Sequence, residues 1–106
     1  MLAAGANPNV QDDNGWSPLH FSAQAVSSGA TEALLAAGAQ TALTDSFGNT
    51  SLSTAVFASR GNGAVIQLLR RAGADPHAKN SSSVTPLSLA RTIANYDVAQ
   101  FFADLP

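Results

Sequence analysis

Cysteine is absent from the 106 residues, which excludes disulfides, thiolate metal centres and a cysteine nucleophile, and fits a reducing compartment. Charge is scarce as well. Charged residues make up 11% of the chain, and five Lys and Arg against seven Asp and Glu give a net charge of −2. Five cations are too few for a groove that tracks phosphates, and the negative balance attracts neither nucleic acid nor an acidic membrane surface. No apolar run approaches the roughly 20 residues that span a bilayer. Met1 to Pro8 lack the basic and apolar regions of a signal peptide. A cytoplasmic protein is the default expectation, with an upstream targeting segment left open by the form of the N-terminus.

Alanine supplies much of the 45% apolar content, and small faces suit close stacking of one helix on another. The chain also repeats itself. Gly5-Ala6 returns as Gly38-Ala39 after 33 residues and as Gly73-Ala74 after a further 35, while Gly15 returns as Gly48 after 33. In the same register Ser17-Pro18-Leu19-His20 aligns with Thr50-Ser51-Leu52-Ser53 and with Thr85-Pro86-Leu87-Ser88. Several landmarks in one register are the signature of a solenoid whose units bury their apolar surface against neighbours.

Each unit reads as turn, helix, helix. Asp12-Asp13-Asn14-Gly15 and Asp45-Ser46-Phe47-Gly48 are turn tetrads in which glycine supplies positive φ. Ser17, Thr50 and Thr85 suit N-caps, and Pro18 and Pro86 suit the first helical turn. First helices are predicted over about Pro18–Ala25, Ser51–Ala58 and Pro86–Ile93. Second helices are predicted to run to Ala37, Ala72 and about Ala103, the first two closed by Gly38 and Gly73.

These motifs resemble the ankyrin-repeat family, the match being fullest from Asp12 to Ala39. The resemblance implies an all-α solenoid of stacked helix-turn-helix units joined by β-hairpin-like turns. It divides the chain into a partial N-terminal repeat (1–11), a full repeat (12–44), a repeat with a two-residue loop insertion (45–79) and a C-terminal capping repeat (80–106). The insertion falls near Ala58 to Gly63, where an outward bulge is expected. Asn80-Ser81-Ser82-Ser83 replaces the usual Asp and Gly, so that turn is expected to be less well specified. Met1 to Pro8 matches only the tail of a repeat. Either the chain is cut from a longer protein or its start lies mid-repeat; both readings predict an exposed Ala/Leu-rich end suited to an upstream repeat, a partner or self-association with a second copy.

No constellation of catalytic or metal-binding residues emerges. His20 lies in the Ser-Pro-Leu-His motif, where the family's histidine bonds the backbone of a neighbouring turn. His77 reads as a polar turn residue, and no cysteine or carboxylate cluster completes a coordination sphere around the pair. The acidic residues recur at repeat positions, and Asp97 is expected to cap or charge the start of a second helix. Serines are numerous without a Gly-x-Ser-x-Gly turn, and Ser59 to Gly63 lacks the lysine of a phosphate loop. Neither catalysis nor a cofactor is expected.

The resemblance implies a protein partner held on hairpin tips and first-helix faces. The corresponding variable positions are Asp13, Asn14, Trp16 and Gln24, then Ser46, Phe47, Asn49 and Phe57, then Ser81, Ser82, Val84 and Thr92, bridged by Gln11, Thr44 and Lys79. Trp16 and Phe47 are the preferred anchors, each weighed against local packing. Phe57 is expected to fill space under the enlarged loop as well as being a contact candidate. Tyr96 is expected to open the last second helix half-buried, and Phe101 and Phe102 to be core or C-terminal cover. Arg60 is read chiefly as a solvated charge on the bulge.

Two further segments, Thr85 to Phe102 and Gly48 to Gly61, resemble small bacterial ankyrin proteins, some of which resemble immunity proteins that neutralise a toxin. A scaffold fragment of a larger ankyrin protein is the alternative. With so few charges, binding is expected to depend weakly on salt.

Overall fold

The computed structural model describes residues 7–106; the Ala/Leu-rich end expected at the N-terminus lies mostly outside them. Five α-helices follow in order: α1 (Pro18–Gln24), α2 (Ser28–Ala36), α3 (Ser51–Ala58), α4 (Ala64–Arg71) and α5 (Pro86–Thr92), with a 3-10 turn over Val98–Phe102. No strand forms among the described residues. First helices stack as α1 on α3 on α5, and α2 packs on α4 behind them. The result is a slab of 40 × 26 × 21 Å.

Local chemistry starts and stops these helices where the repeat register requires. Pro18 and Pro86 open α1 and α5, since proline's fixed φ suits the first turn and its missing N–H would be unpaired there anyway. Thr85 and Ser88 form a reciprocal capping box, Thr85 Oγ1 accepting from the Ser88 N–H at 3.0 Å and Ser88 Oγ accepting from the Thr85 N–H at 2.9 Å. At the far end of α2 the Ala39 N–H donates to Leu34 O at 3.0 Å, and after α4 the Ala74 N–H donates to Leu69 O at 3.0 Å. Both closures turn on a glycine at φ +92°, Gly38 and Gly73, as a Schellman-type cap demands.

Leu19, Leu52 and Leu87 from the first helices and Leu34, Val65, Ile66 and Leu69 from the second form one continuous core. Its polar members are tied. Thr31 Oγ1, fully buried, donates to Ser27 O at 2.8 Å and lies 3.0 Å from Ser22 Oγ. That satisfies a hydroxyl whose unpaired burial costs about 1–3 kcal/mol.

The third unit departs from expectation at its end. The last second helix is only the five-residue 3-10 turn, and Tyr96 precedes it, 45% exposed. Asp97 makes no side-chain cap bond there; its carbonyl accepts from Gln100 Nε2 instead, at 2.8 Å. Asn95 to Asp97 follow a helix that has ended in extended backbone at Ile93, ψ 116°, and lie ahead of the 3-10 turn that begins at Val98. Phe102 is core and Phe101 is half-buried. The Phe101 ring lies where a Cβ at Gly63 would stand, and Tyr96 packs on Gly61. The middle and the end of the enlarged loop are therefore held by the last unit. Ser59, at the loop's start, is itself buried and donates to Val56 O at 3.0 Å; only Arg60 and Asn62 are exposed.

The C-terminal cover is fastened by Arg70. Its guanidinium donates to Asp104 through two parallel bonds of 2.7 and 2.9 Å, donates to Phe101 O at 2.9 Å, and lies 5.1 Å from the centre of the Phe102 ring. A forked pair of this kind fixes geometry better than a single contact. The Arg70 hydrogen bond holds the Asp104 carboxyl below its usual value of 3.8 and raises Arg70 in turn. Because the folded-state value is depressed, the pair stabilises fully above the unfolded-state value and is lost as pH falls through the folded one. In urea denaturation the stability gap between wild type and Asp104→Asn is expected to be open at about pH 6 and to close between about pH 4 and pH 2; a gap constant over that range removes the ion pair from the account.

Candidate functional site

Three finger-like turns project beside the first helices, and one side chain builds each. Asp12 Oδ1 accepts the N–H groups of Asn14 and Trp16, both at 2.9 Å. Asp45 Oδ1 does the same for Phe47 and Asn49 at 2.9 Å. Asn80 Oδ1 accepts from Ser82 at 2.8 Å and Val84 at 3.0 Å. The third turn, expected to be loosely specified, is therefore made as the others are. An amide oxygen replaces the carboxylate, and Ser83 takes the left-handed position at φ +62° that Gly15 and Gly48 hold at +79° and +78°.

Fingers then join edge to edge. The Ser46 N–H donates to Asn14 O and the Ser81 N–H to Phe47 O, both at 2.9 Å. Gln11 Nε2 donates to Gly15 O at 2.8 Å and Thr44 O at 2.9 Å, and Asn80 Nδ2 donates to Asn49 Oδ1 at 2.9 Å. The approach is close: a Cβ on Gly15 would stand 2.7 Å from Asp45 Cα.

In the angle between fingers and first helices lies a groove of about 480 Å³. Trp16, Asn49, Asn80, Ser82 and Val84 line it from the fingers, and Gln24, Ser53, Thr54, Phe57, Ala58 and Leu89 from the helices, with Asp45 between. Six of the predicted contact positions meet here: Trp16, Gln24, Asn49, Phe57, Ser82 and Val84. Trp16 also packs locally, its ring 5.0 Å from Phe21 and 5.6 Å from His20, so it is half-buried and still faces the groove. Phe57 corrects the expectation of a core role. It is 79% exposed, because the enlarged loop is filled by Tyr96 and Phe101 from the other side and leaves nothing for it to support.

The remaining predicted residues are not brought into this groove. Phe47 is 69% exposed on its finger, and Asp13, Asn14, Ser46 and Ser81 are exposed beside it on the finger tips. Lys79 is exposed, and Thr92 is exposed with its hydroxyl donating to Leu89 O at 2.8 Å. Gln11 and Thr44 are used in joining fingers. Asp45, Ser53, Thr54, Ala58, Asn80 and Leu89 line the groove without being among the contact positions expected from the sequence. The signal for three of them was the spacing Ser53, Thr54, Phe57, Ala58 on α3, which places them on one helix face with Phe57.

Helix pairs stacked in register, each preceded by a hydrogen-bonded finger, define a repeat solenoid of the kind used for interaction surfaces. Residues 1–80 match the family model for ankyrin repeats in three copies. The chain belongs to the ankyrin-repeat family, a non-catalytic interaction fold whose members generally bind other proteins. The α5 unit lies past the matched residues and continues the stack.

The motif histidine behaves as the family resemblance implies. His20 is 0% exposed; its Nε2 lies 2.8 Å from Asn49 O and must donate, since a carbonyl only accepts. Nδ1 is then the acceptor for the Ser17 N–H at 3.1 Å and the Ser17 hydroxyl at 2.8 Å. One ring thus ties a helix start to the next finger. In the second unit Ser53 holds this position, too short to reach the Val84 carbonyl, and the Thr50 and Ser51 hydroxyls are buried without a partner. The small side chain at 53 also leaves the groove open beside Val84. Ser53→His is expected to stabilise the fold by about 1 kcal/mol through the restored bonds, read as a thermal midpoint roughly 4–8 °C higher, while His20→Ala should lower stability by about 2–3 kcal/mol. A Ser53→His protein no more stable than wild type contradicts the tie.

Proposed function

We propose that this chain holds a protein partner on its finger tips and first-helix faces, centred on the groove beneath Trp16. The observation that supports this most is Phe57, a phenylalanine 79% exposed in a groove that also carries Trp16. Covering such a side chain is worth about 1.5–3 kcal/mol, and nothing within the described chain covers it. Small polar groups around it (Asn49, Ser53, Thr54, Ser82) offer hydrogen bonds that orient a guest. The outward tips, with Asp13, Asn14, Ser46, Phe47 and Ser81, extend that surface beyond the groove, and Lys79 adds the nearest hairpin cation.

The sharper form of this reading is that the partner is a bacterial toxin which the chain neutralises in the cytoplasm. It is supported by the resemblance of Thr85 to Phe102 to small bacterial ankyrin proteins, and it places the partner's gene beside this one. No helix of the described residues is long and apolar enough to cross a membrane, which is compatible with that setting.

The test is affinity capture from the source cells with three forms of the chain. A partner retained by wild type is expected to be lost at least tenfold from Trp16→Ala/Phe57→Ala, since two anchors at about 1.4 kcal/mol or more each exceed that factor. It should be kept by Gln67→Ala/Arg71→Ala, exposed positions on α4 behind the first helices. The opposite pattern moves the binding face to the second helices.

A further inference from the structure

The groove continues downward into a second hollow of about 520 Å³ lined by Gln24, Val26, Phe57, Ala58 and Arg60. Two of these residues are there against backbone preference. Val26 has φ +52° and Arg60 φ +49°, each at the turn between first and second helix of its unit. Glycine adopts that conformation without penalty, whereas a residue with a Cβ is strained in it, and a β-branched one is especially rare there. Neighbouring units therefore both keep a side chain where glycine is favoured, and both side chains line the same hollow. Val26 also packs in part against the core, whereas Arg60 is exposed, so it is the strain held at Arg60 that points to use of its side chain.

The charge around the hollow is one-sided. Among the described residues Arg70 is engaged by Asp104 and Arg91 donates to Pro106 O at 2.7 Å. Arg60 makes no ion pair or side-chain hydrogen bond among them. It borders this hollow and a smaller one lined by Val56, Ile93, Tyr96 and Val98, and no Asp or Glu lines either. An unpaired guanidinium beside Val26, Phe57 and Ala58 has the chemistry to recognise a carboxylate next to an apolar side chain. A phosphate group would call for a cluster of cations, and Arg60 stands by itself.

We propose that the lower hollow takes an apolar side chain from an extended segment of the partner, and that a carboxylate within a few residues of it pairs with Arg60. This deepens the groove reading and rests on it.

The experiment displays peptides of about 12 residues, each with a central Leu, Phe or Trp and flanks drawn equally from Asp, Lys, Ser and Gly, against the full chain. Enriched binders are expected to carry Asp within about four residues of the anchor. Arg60→Glu, which keeps a side chain at the same φ, should weaken the best of them about tenfold, as loss of a charge-assisted bond does, and shift enrichment to Lys. Arg71→Glu on α4 should leave them unchanged, and circular dichroism reports whether each variant is folded. Should Arg60→Glu fail to fold, Arg60→Gly gives the same weakening without the inversion. Binders lost with Trp16→Ala/Phe57→Ala yet showing no preference for Asp overturn the carboxylate pairing while upholding the groove. Binders indifferent to every substitution overturn both. No enriched peptide overturns the linear segment alone, since capture of a folded partner tests the groove independently.

Discussion

Everything on the finger side of this molecule depends on one oxygen per unit accepting two backbone N–H groups. Asp12, Asp45 and Asn80 each close a finger by this means, and the closed fingers then bond to one another through their main chains. Without that closure the N–H groups of Trp16, Asn49 and Val84 would be unsettled, and the spacing between units would be left to side-chain packing alone. The carboxylate and the amide serve equally because the geometry asks only for an acceptor at that distance. The glycines matter for the same reason: Gly15 lets the next finger approach to a distance that any Cβ would forbid.

Much of this was legible in the sequence because repetition multiplies weak signals. A single Ser-Pro-Leu-His says little, but three aligned motifs with glycine pairs at constant spacing set the helix order, the caps and the finger positions. Reading failed where a residue's environment is made by another unit. Phe57 has the character of a core residue, and only the placement of Tyr96 and Phe101 shows that its space is already filled. Asn80 and Ser83 departed from the motif in identity while preserving an acceptor and a tolerable left-handed position, so the turn survived the change. The short 3-10 turn at Val98–Phe102 was overcalled as a helix because its apolar pairs match the register although the segment before it does not.

The same contrast explains the groove. Its upper wall comes from fingers, which the motifs locate; its floor comes from one face of α3, where the motif positions are silent and spacing alone carries the information. Exchange of histidine for serine at position 53 links the two. It gives up a tie between helix and finger, leaves the hydroxyl of Thr50, the counterpart of Ser17, unpartnered, and leaves the groove open beside Val84. Stability and accessibility are set against each other at that residue.

Phe101 seated on Gly63 and Tyr96 on Gly61 also tie the firmness of the middle unit's loop to its neighbour. In a solenoid each unit is steadied by those it stacks on, and local opening of one is felt by the next. Here the α5 unit supplies the cover over the loop that carries Arg60. Local opening of the segment from Tyr96 to Phe102 therefore travels to the hollow that Arg60 lines. That segment steadies the loop from behind, although it contributes no residue to the groove beneath Trp16.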